Sequence, residues 1–182
     1  MNTETINQLE QAIKSALSFR EQHDELEVGG LNRGKLIARV KDPMRIDKFL
    51  RARIINESQY AAAFYFATLY AVSHKSTITL SAYSGLPKEA FAQRVFKELG
   101  IIGKIASEDL YHKIFRFMTP HYFRVSFQVC VNEMTMRQLM QCFQCRHEKM
   151  QGDVGNSLDE LGNAIEEARQ AILNSIDTGK QK

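Results

Sequence analysis

Three cysteines and a histidine lie near one another in the chain, and their side chains are of the types that bind metal ions. They are Cys130, Cys142, Cys145 and His147. A zinc site needs four thiolate or imidazole ligands in a tetrahedron, often including a Cys-x-x-Cys pair. However, Cys142 and Cys145 fall in a predicted helix, where residues three apart share one face, and cysteine is also a common small buried side chain. We therefore expect no metal and no other cofactor.

The chain also lacks the motifs of common catalytic sites. It contains no phosphate-binding loop, no Gly-x-Ser-x-Gly nucleophile elbow and no His-Glu-x-x-His zinc motif. Its five histidines are scattered along the sequence: His23, His74, His112, His121 and His147. We predict no catalytic residues and a protein that is not an enzyme.

Composition indicates an ordinary globular protein with a core of its own. The 182 residues are 44% hydrophobic and 25% charged, which fits one domain. The longest apolar run, residues 60–72, is too short to cross a bilayer, and the N-terminus lacks the pattern of a signal peptide. We therefore expect a cytoplasmic protein with no membrane partner.

Positive charge is concentrated in one part of the chain. The formal net charge is only +3, yet residues 33–53 carry eight basic and two acidic side chains. Such a block suits a protein that meets a polyanion with one face, although a solvated helix surface would have the same composition. The basic residues of this block that we expect to contact phosphates are Arg33, Lys35, Arg39, Lys41 and Arg45.

Residues 77–99 have the pattern of a helix-turn-helix. A short helical segment reaches Gly85, and an amphipathic segment starts at Pro87 and continues to Leu99. The turn of this motif commonly contains glycine, and its second helix enters the major groove of DNA. Plain packing of two helices is the alternative. The polar residues expected to approach the groove are Lys88, Gln93, Arg94 and Lys97. A short strand over 100–105 would then form a wing.

Apolar spacing and capping signals predict helices along most of the chain. We expect an amphipathic helix from Thr3 to about Gln22, a glycine-containing linker or mobile loop around residues 29–34, and a helix beginning at Asp42-Pro43. Capping-box patterns predict further helix starts at Asn56, Thr135 and Ser157, and a polar cap predicts one at Ser107.

The remaining boundaries complete an all-α prediction. The Ser107 helix should stop near Pro120. We predict that the next segment, to Val131, is helical although apolar and polar residues alternate in it. Gly152 and Gly155 should break the helix that starts at Thr135. The expected organisation is an N-terminal helix and loop over 1–32, a helical core over 33–176 and a frayed tail over 177–182. We predict a single compact helical domain with a helix-turn-helix, with or without a wing.

A second helix-turn-helix candidate spans residues 127–165. Residues 135–144 would form its bracing helix, and the helix that reads DNA would begin at Arg146. The predicted break at Gly152 and Gly155 interrupts that second helix.

Two segments resemble known proteins. Residues 42–62, from Asp42-Pro43 through an Ala-rich helix, together with residues 129–139, resemble a poorly characterised family of bacterial and prophage proteins whose later region is similar to the end of a sigma factor. The resemblance covers about two-fifths of the chain. It implies a DNA-associated role in a phage or mobile element.

These patterns favour a non-enzymatic protein that binds double-stranded DNA, most simply a transcriptional regulator of phage or mobile-element type. The apolar stripes of the first and last helices lead us to expect a homo-oligomer. Two alternatives stay open at this point: an oligomeric phage assembly or packaging protein, and an adaptor or inhibitor that binds another protein and no DNA.

Overall fold

The computed structural model describes residues 3–23, 26–32, 35–40, 44–74 and 87–179; over 16–40, 87–100 and 176–179 the backbone alone is considered. Helices dominate it. They are α1 (Thr3–His23), α2 (Arg45–Arg51), α3 (Glu57–His74), α4 (Pro87–Phe117), α5 (Pro120–Cys130), α6 (Met136–Phe143) and α7 (His147–Gly179). The predicted helical class and the compact domain are confirmed.

A β-hairpin interrupts the helices between α1 and α2. Its strands, β1 (Leu26–Asn32) and β2 (Lys35–Val40), are antiparallel, with Leu26 opposite Val40. The register shifts between Val28 and Leu31, where two glycines lie. The prediction of a linker or loop here was wrong, because glycine within a strand marks an irregularity of pairing as often as the end of the strand.

Helix α3 lies at the centre of the fold, as its apolar sequence predicts. Phe64 and Phe66 are fully buried, and α3 packs against α4, α7, α5, α1 and α2. Its start is closed by the predicted capping box, in which the Asn56 side chain accepts from the Gln59 backbone N–H and the Gln59 side chain accepts from the Asn56 N–H. A helix buried on most sides must be apolar all round.

Helix α4 overturns two predictions. It runs for 31 residues without a break, so residues 100–105 form neither a strand nor a wing and no helix starts at Ser107. The Ser107 side chain is fully buried, and its hydroxyl donates to the carbonyl of Gly103 at 2.7 Å inside the helix. A serine that bonds backward to the carbonyl four residues earlier belongs to a helix interior and does not cap a helix start. The predicted stop near Pro120 is confirmed.

Helix α7 contradicts two further predictions. It passes through Gly152, Gly155 and Ser157, so the glycines do not break a helix and Ser157 does not begin one. The Ser157 hydroxyl is buried and donates to the carbonyl of Val154 at 2.9 Å. Gly155 faces α3, where its carbonyl accepts from Gln59 Nε2 at 3.2 Å. Packing against α3 thus offsets the low helix propensity of glycine.

The helix predicted from Asp42-Pro43 is present as α2, but it begins at Arg45 after the N-cap Met44, and residues 41–43 lie outside the described residues. Two further predicted helices are confirmed. Helix α1 spans the expected residues, and α5 is helical despite its alternating sequence. Within the described parts of the chain, no helix combines the length and the apolar character needed to span a bilayer.

Candidate nucleic-acid interface

The second helix-turn-helix candidate is the better described of the two, and it consists of α5, α6 and the start of α7. The predicted capping box closes the start of α6: Thr135 Oγ1 accepts from the Gln138 backbone N–H at 3.2 Å, while Gln138 Oε1 accepts from the Thr135 N–H at 2.8 Å. This pairing satisfies two amides that the helix leaves without partners. It fixes where α6 begins.

A residue of the basic block holds the turn that precedes α6. Arg45, half-buried at the start of α2, donates from Nε to the carbonyl of Glu133 at 3.1 Å. Glu133 has a φ of 52°, in the left-handed region. A charged donor on a turn carbonyl stabilises an otherwise unfavourable backbone conformation.

A tight turn joins α6 to α7. Gln144 has left-handed dihedrals (φ 50°, ψ 44°), and its N–H donates to the carbonyl of Met140, which also accepts from the Cys145 N–H at 3.2 Å. Helix α7 begins at His147, so only residues 144–146 separate the two helices. An eight-residue helix, a three-residue turn and a second helix are the elements of a helix-turn-helix.

Buried side chains hold the two helices together. Leu139 of α6 and Met150 and Val154 of α7 are fully buried. Between them, the Cys145 thiol lies 3.7 Å from the Met150 sulfur. These residues pack α6 against the start of α7, and every exposed residue within 135–149 is polar or charged.

That surface is basic. Arg137 on α6, Arg146 in the turn and Lys149 in the first turn of α7 are exposed, as is the imidazole of His147. Among the described residues, no ion pair joins these three cations to a carboxylate. Glu148 is the one acidic residue within 135–149, which gives this stretch a net charge of +2. The amides at the start of α7 add partial positive charge at the same place.

Two side chains of α5 brace the corner. The Arg124 guanidinium lies 5.2 Å from the centre of the Phe143 ring, and its Nη2 donates weakly to the Cys142 thiol at 3.8 Å. His121 Nε2 lies 3.5 Å from a carboxylate oxygen of Asp153 on α7. Both contacts cross from α5 to the two helices of the corner, and Arg124 adds a fourth exposed cation beside it.

The first candidate, over 77–99, is only partly covered by the structure. Residues 75–86, with the predicted bracing helix and Gly85, lie outside the described residues. The predicted second helix is present as the first part of α4, but it continues beyond Leu99. The predicted groove residues lie on that part, where the backbone alone is considered: Lys88, Gln93, Arg94 and Lys97.

The structure also describes only some of the basic residues that were predicted to contact phosphates. Arg33 and Lys41 lie outside the described residues, and Lys35 and Arg39 belong to strand β2. Arg45 is the one residue of this set whose side chain is described, and it donates a hydrogen bond to the turn between α5 and α6. That this block contacts phosphates stays a prediction.

The sequence patterns predict a helix-turn-helix at this corner, but they did not identify its exposed cations. Arg137, Arg146 and Lys149 were absent from the predicted site because the expected helix break at Gly152 and Gly155 counted against the second candidate. The capping box at Thr135 and a polar, cation-containing turn ten residues later are the signals that could have found them.

The thiols offer no metal site in the described structure. Cys142 and Cys145 contact Arg124 and Met150, respectively, and Cys130 is buried. Within the described residues, no group of three or more His, Cys, Asp or Glu side chains lies close enough to hold an ion.

The apolar stripes from which we expected an oligomer are used within one chain. Ile6, Leu9 and Ile13 of α1 are almost fully buried, as are Leu158 and Leu161 of α7. They pack in the common core, so those stripes do not support association of chains; the homo-oligomer stays a prediction without that support.

Comparison with protein-family models, with curated proteins and with solved structures finds no match for this chain. The resemblance to prophage proteins therefore also stays a prediction.

Proposed function

We propose that this chain is a non-enzymatic protein that binds double-stranded DNA through the corner of α6 and α7. The observation that supports the proposal is that a short helix, a three-residue turn and a second helix carry exposed cations at the start of the second helix, none of them in an ion pair among the described residues. In this arrangement Arg146 and Lys149 contact phosphates and fix the position of the helix, because phosphate contacts supply most of the affinity of such proteins.

Two further residues at the start of α7, the exposed His147 and the half-buried Gln151, supply the specificity. His147 and Gln151 lie on the first turns of α7, where side chains of a recognition helix reach base edges, and Gln is able to pair with adenine. Regulation of transcription in a phage or mobile element is the biological role that we propose for this binding.

The test is the salt dependence of binding to duplex DNA, measured by fluorescence anisotropy. Log affinity should fall linearly with log salt, and each phosphate contact contributes a slope of about −0.9. The variant Arg146→Ala/Lys149→Ala should therefore flatten the slope by nearly two such contacts. Lys113→Ala/Arg116→Ala, which removes two cations near the end of α4, is the matched control and should leave the slope unchanged.

The same titration separates the two candidate motifs. If Lys88→Ala/Arg94→Ala/Lys97→Ala flattens the slope and the Arg146 and Lys149 variant does not, DNA binds at the first candidate and our placement on α7 is wrong. Affinity for duplex DNA that stays flat between low and moderate salt, or no binding at all, would overturn the DNA-binding proposal itself.

An exposed apolar surface favours a second candidate function, protein interaction. Five large apolar side chains of α4 are between 42% and 65% exposed: Ile101, Ile102, Ile105, Phe115 and Phe117. Scattered apolar residues are common on surfaces, but several on one helix suit contact with another protein. Light scattering coupled to gel filtration would distinguish a ring or dimer from a monomer, and Ile101→Ser/Ile105→Ser should abolish any assembly formed through this face.

A further inference from the structure

An exposed stripe of side chains runs along one side of α4. Its residues follow one another at intervals of four, three, four and three positions, which is the spacing of the core positions of a coiled coil. The opposite side of the same stretch of α4 is buried in the core of the chain through Ala106, Leu110 and Ile114. We call the exposed stripe the α4 seam; it consists of Ile101, Ile105, Glu108, His112 and Phe115.

The two ends of the α4 seam are apolar and its middle is polar. Ile101 and Ile105 lie at one end and Phe115 at the other, with Glu108 and His112 between them. Exposed apolar residues at coiled-coil spacing are typical of a helix that pairs with another helix. Within its own chain, the Glu108 carboxylate lies 3.9 Å from the Lys104 ammonium. A surface pair of this kind contributes little, and the carboxylate can still accept from another donor.

The polar middle decides which orientation of two copies fits. In a parallel pair of identical helices each residue faces itself, so the two Glu108 carboxylates would repel each other. In an antiparallel pair, a step forward on one helix is a step back on the other. The register that places Ile105 opposite Phe115 of the second copy therefore also places Glu108 opposite His112 of that copy. An imidazole carries an N–H in either protonation state, so the carboxylate can accept from it.

We propose that the α4 seam joins two copies of this chain in an antiparallel pair, with Glu108 of each copy opposite His112 of the other. This pairing rests on the second candidate function, protein interaction, and identifies the partner as a second copy. The isoleucine end of one seam packs against the Phe115 end of the other. The two Glu108–His112 contacts, related by the two-fold axis, fix orientation and register, as polar layers do in coiled coils.

The first test is sedimentation equilibrium of the full chain over about 1–100 μM, which detects a dimer with a Kd in the micromolar range. We expect a monomer–dimer equilibrium that Ile101→Ser/Ile105→Ser shifts to monomer. A chain that stays monomeric over the whole range would overturn the inference. The second candidate function fails as well only if that monomer binds no other protein through α4.

Exchange of the two polar residues tests the register. Glu108→Lys removes the contact with His112, and His112→Glu sets carboxylate against carboxylate, so each variant should weaken the dimer about tenfold because the contact occurs twice. The double variant Glu108→Lys/His112→Glu reverses the pair and should restore the dimer. Glu167→Lys, the same change at an exposed residue of α7, is the control and should have no effect. A dimer that is indifferent to all these variants would contradict the inference.

Disulfide trapping measures the orientation directly. In the proposed register the two copies of residue 105 are ten residues apart along the helix, or about 15 Å, and a disulfide spans a Cα distance of at most about 7 Å. A mixture of Ile105→Cys and Phe115→Cys chains should form covalent dimers above the background set by the native free cysteines. Either variant alone should not. Efficient crosslinking of Ile105→Cys chains to one another would show parallel helices and overturn the inference.

Discussion

The two halves of α7 belong to one continuous helix, yet their surroundings and charge differ. The first half, residues 147–156, meets α5 and α6 and follows directly on the basic turn at Arg146. The second half, residues 157–175, carries four acidic residues and one arginine, and packs its apolar stripe into the core. The elements that pack on this helix therefore change along its length.

This difference shows how a long helix connects separate parts of a small protein. Asp153 meets His121 of α5 in the first half, and Arg169 meets Glu10 of α1 in the second. A continuous helix fixes these two contacts relative to each other, and the proposed DNA-binding corner lies at its first end.

The largest expected effect is on stability, in the second half. Leu161 is fully buried, so Leu161→Ala should lower the free energy of unfolding by about 2–5 kcal/mol through lost apolar burial and the cavity it leaves. Urea denaturation measures this loss. Asn163→Ala, exposed two residues later, should change stability by less than about 0.5 kcal/mol. Equal effects of the two substitutions would mean that the second half is not held in the core.

A smaller, stabilising effect is expected at the middle of the first half. Gly152 is exposed and helical, and a Cβ built there meets nothing within 4 Å. Gly152→Ala should therefore raise the free energy of unfolding by about 0.5–1 kcal/mol, since alanine loses less backbone entropy in a helix. The same urea measurement checks it. A loss of stability would indicate that the helix is broken at residue 152 and that the two halves are separate.

The smallest expected effect is on the pH dependence of stability, at the contact of the second half with α1. Burial raises the pKa of Glu10 above its usual 4.5, against the opposing effect of Arg169. The folded protein then holds the proton more tightly than the unfolded chain, so this contribution to stability is complete below about pH 4.5 and is lost as pH rises through the folded pKa.

Glu10→Gln removes this titration. The stability of the unsubstituted protein relative to the Gln variant should fall as pH rises above about 4.5, as measured by urea unfolding at a series of pH values. Asn163→Ala, which changes an exposed and non-titrating side chain of α7, should show no such trend. A relative stability that increases with pH would mean that the ion pair with Arg169 outweighs burial.

Part of the candidate site was predictable. The start of α6 at Thr135 and the start of a second helix after Arg146 follow from local signals, and both are present. The continuation of that helix through Gly152 was not predictable, because the space around an exposed helical glycine and the packing of α7 on α3 are properties of the folded chain. The contact of Glu10 with Arg169 was not predictable either, since the two residues are far apart in sequence.

The sequence by itself determined the helix starts whose capping hydrogen bonds join residues only three apart in the chain. The capping boxes at Asn56 and Thr135 form because donor and acceptor are neighbours in the chain, whatever surrounds them. Tertiary structure alone decided that the similar polar signals at Ser107 and Ser157 lie inside helices. Both serines are buried, and their hydroxyls donate to carbonyls of their own helix. As an N-cap, a serine would stabilise a helix start by about 1 kcal/mol. Burial of the apolar residues on either side in one continuous helix outweighs that preference.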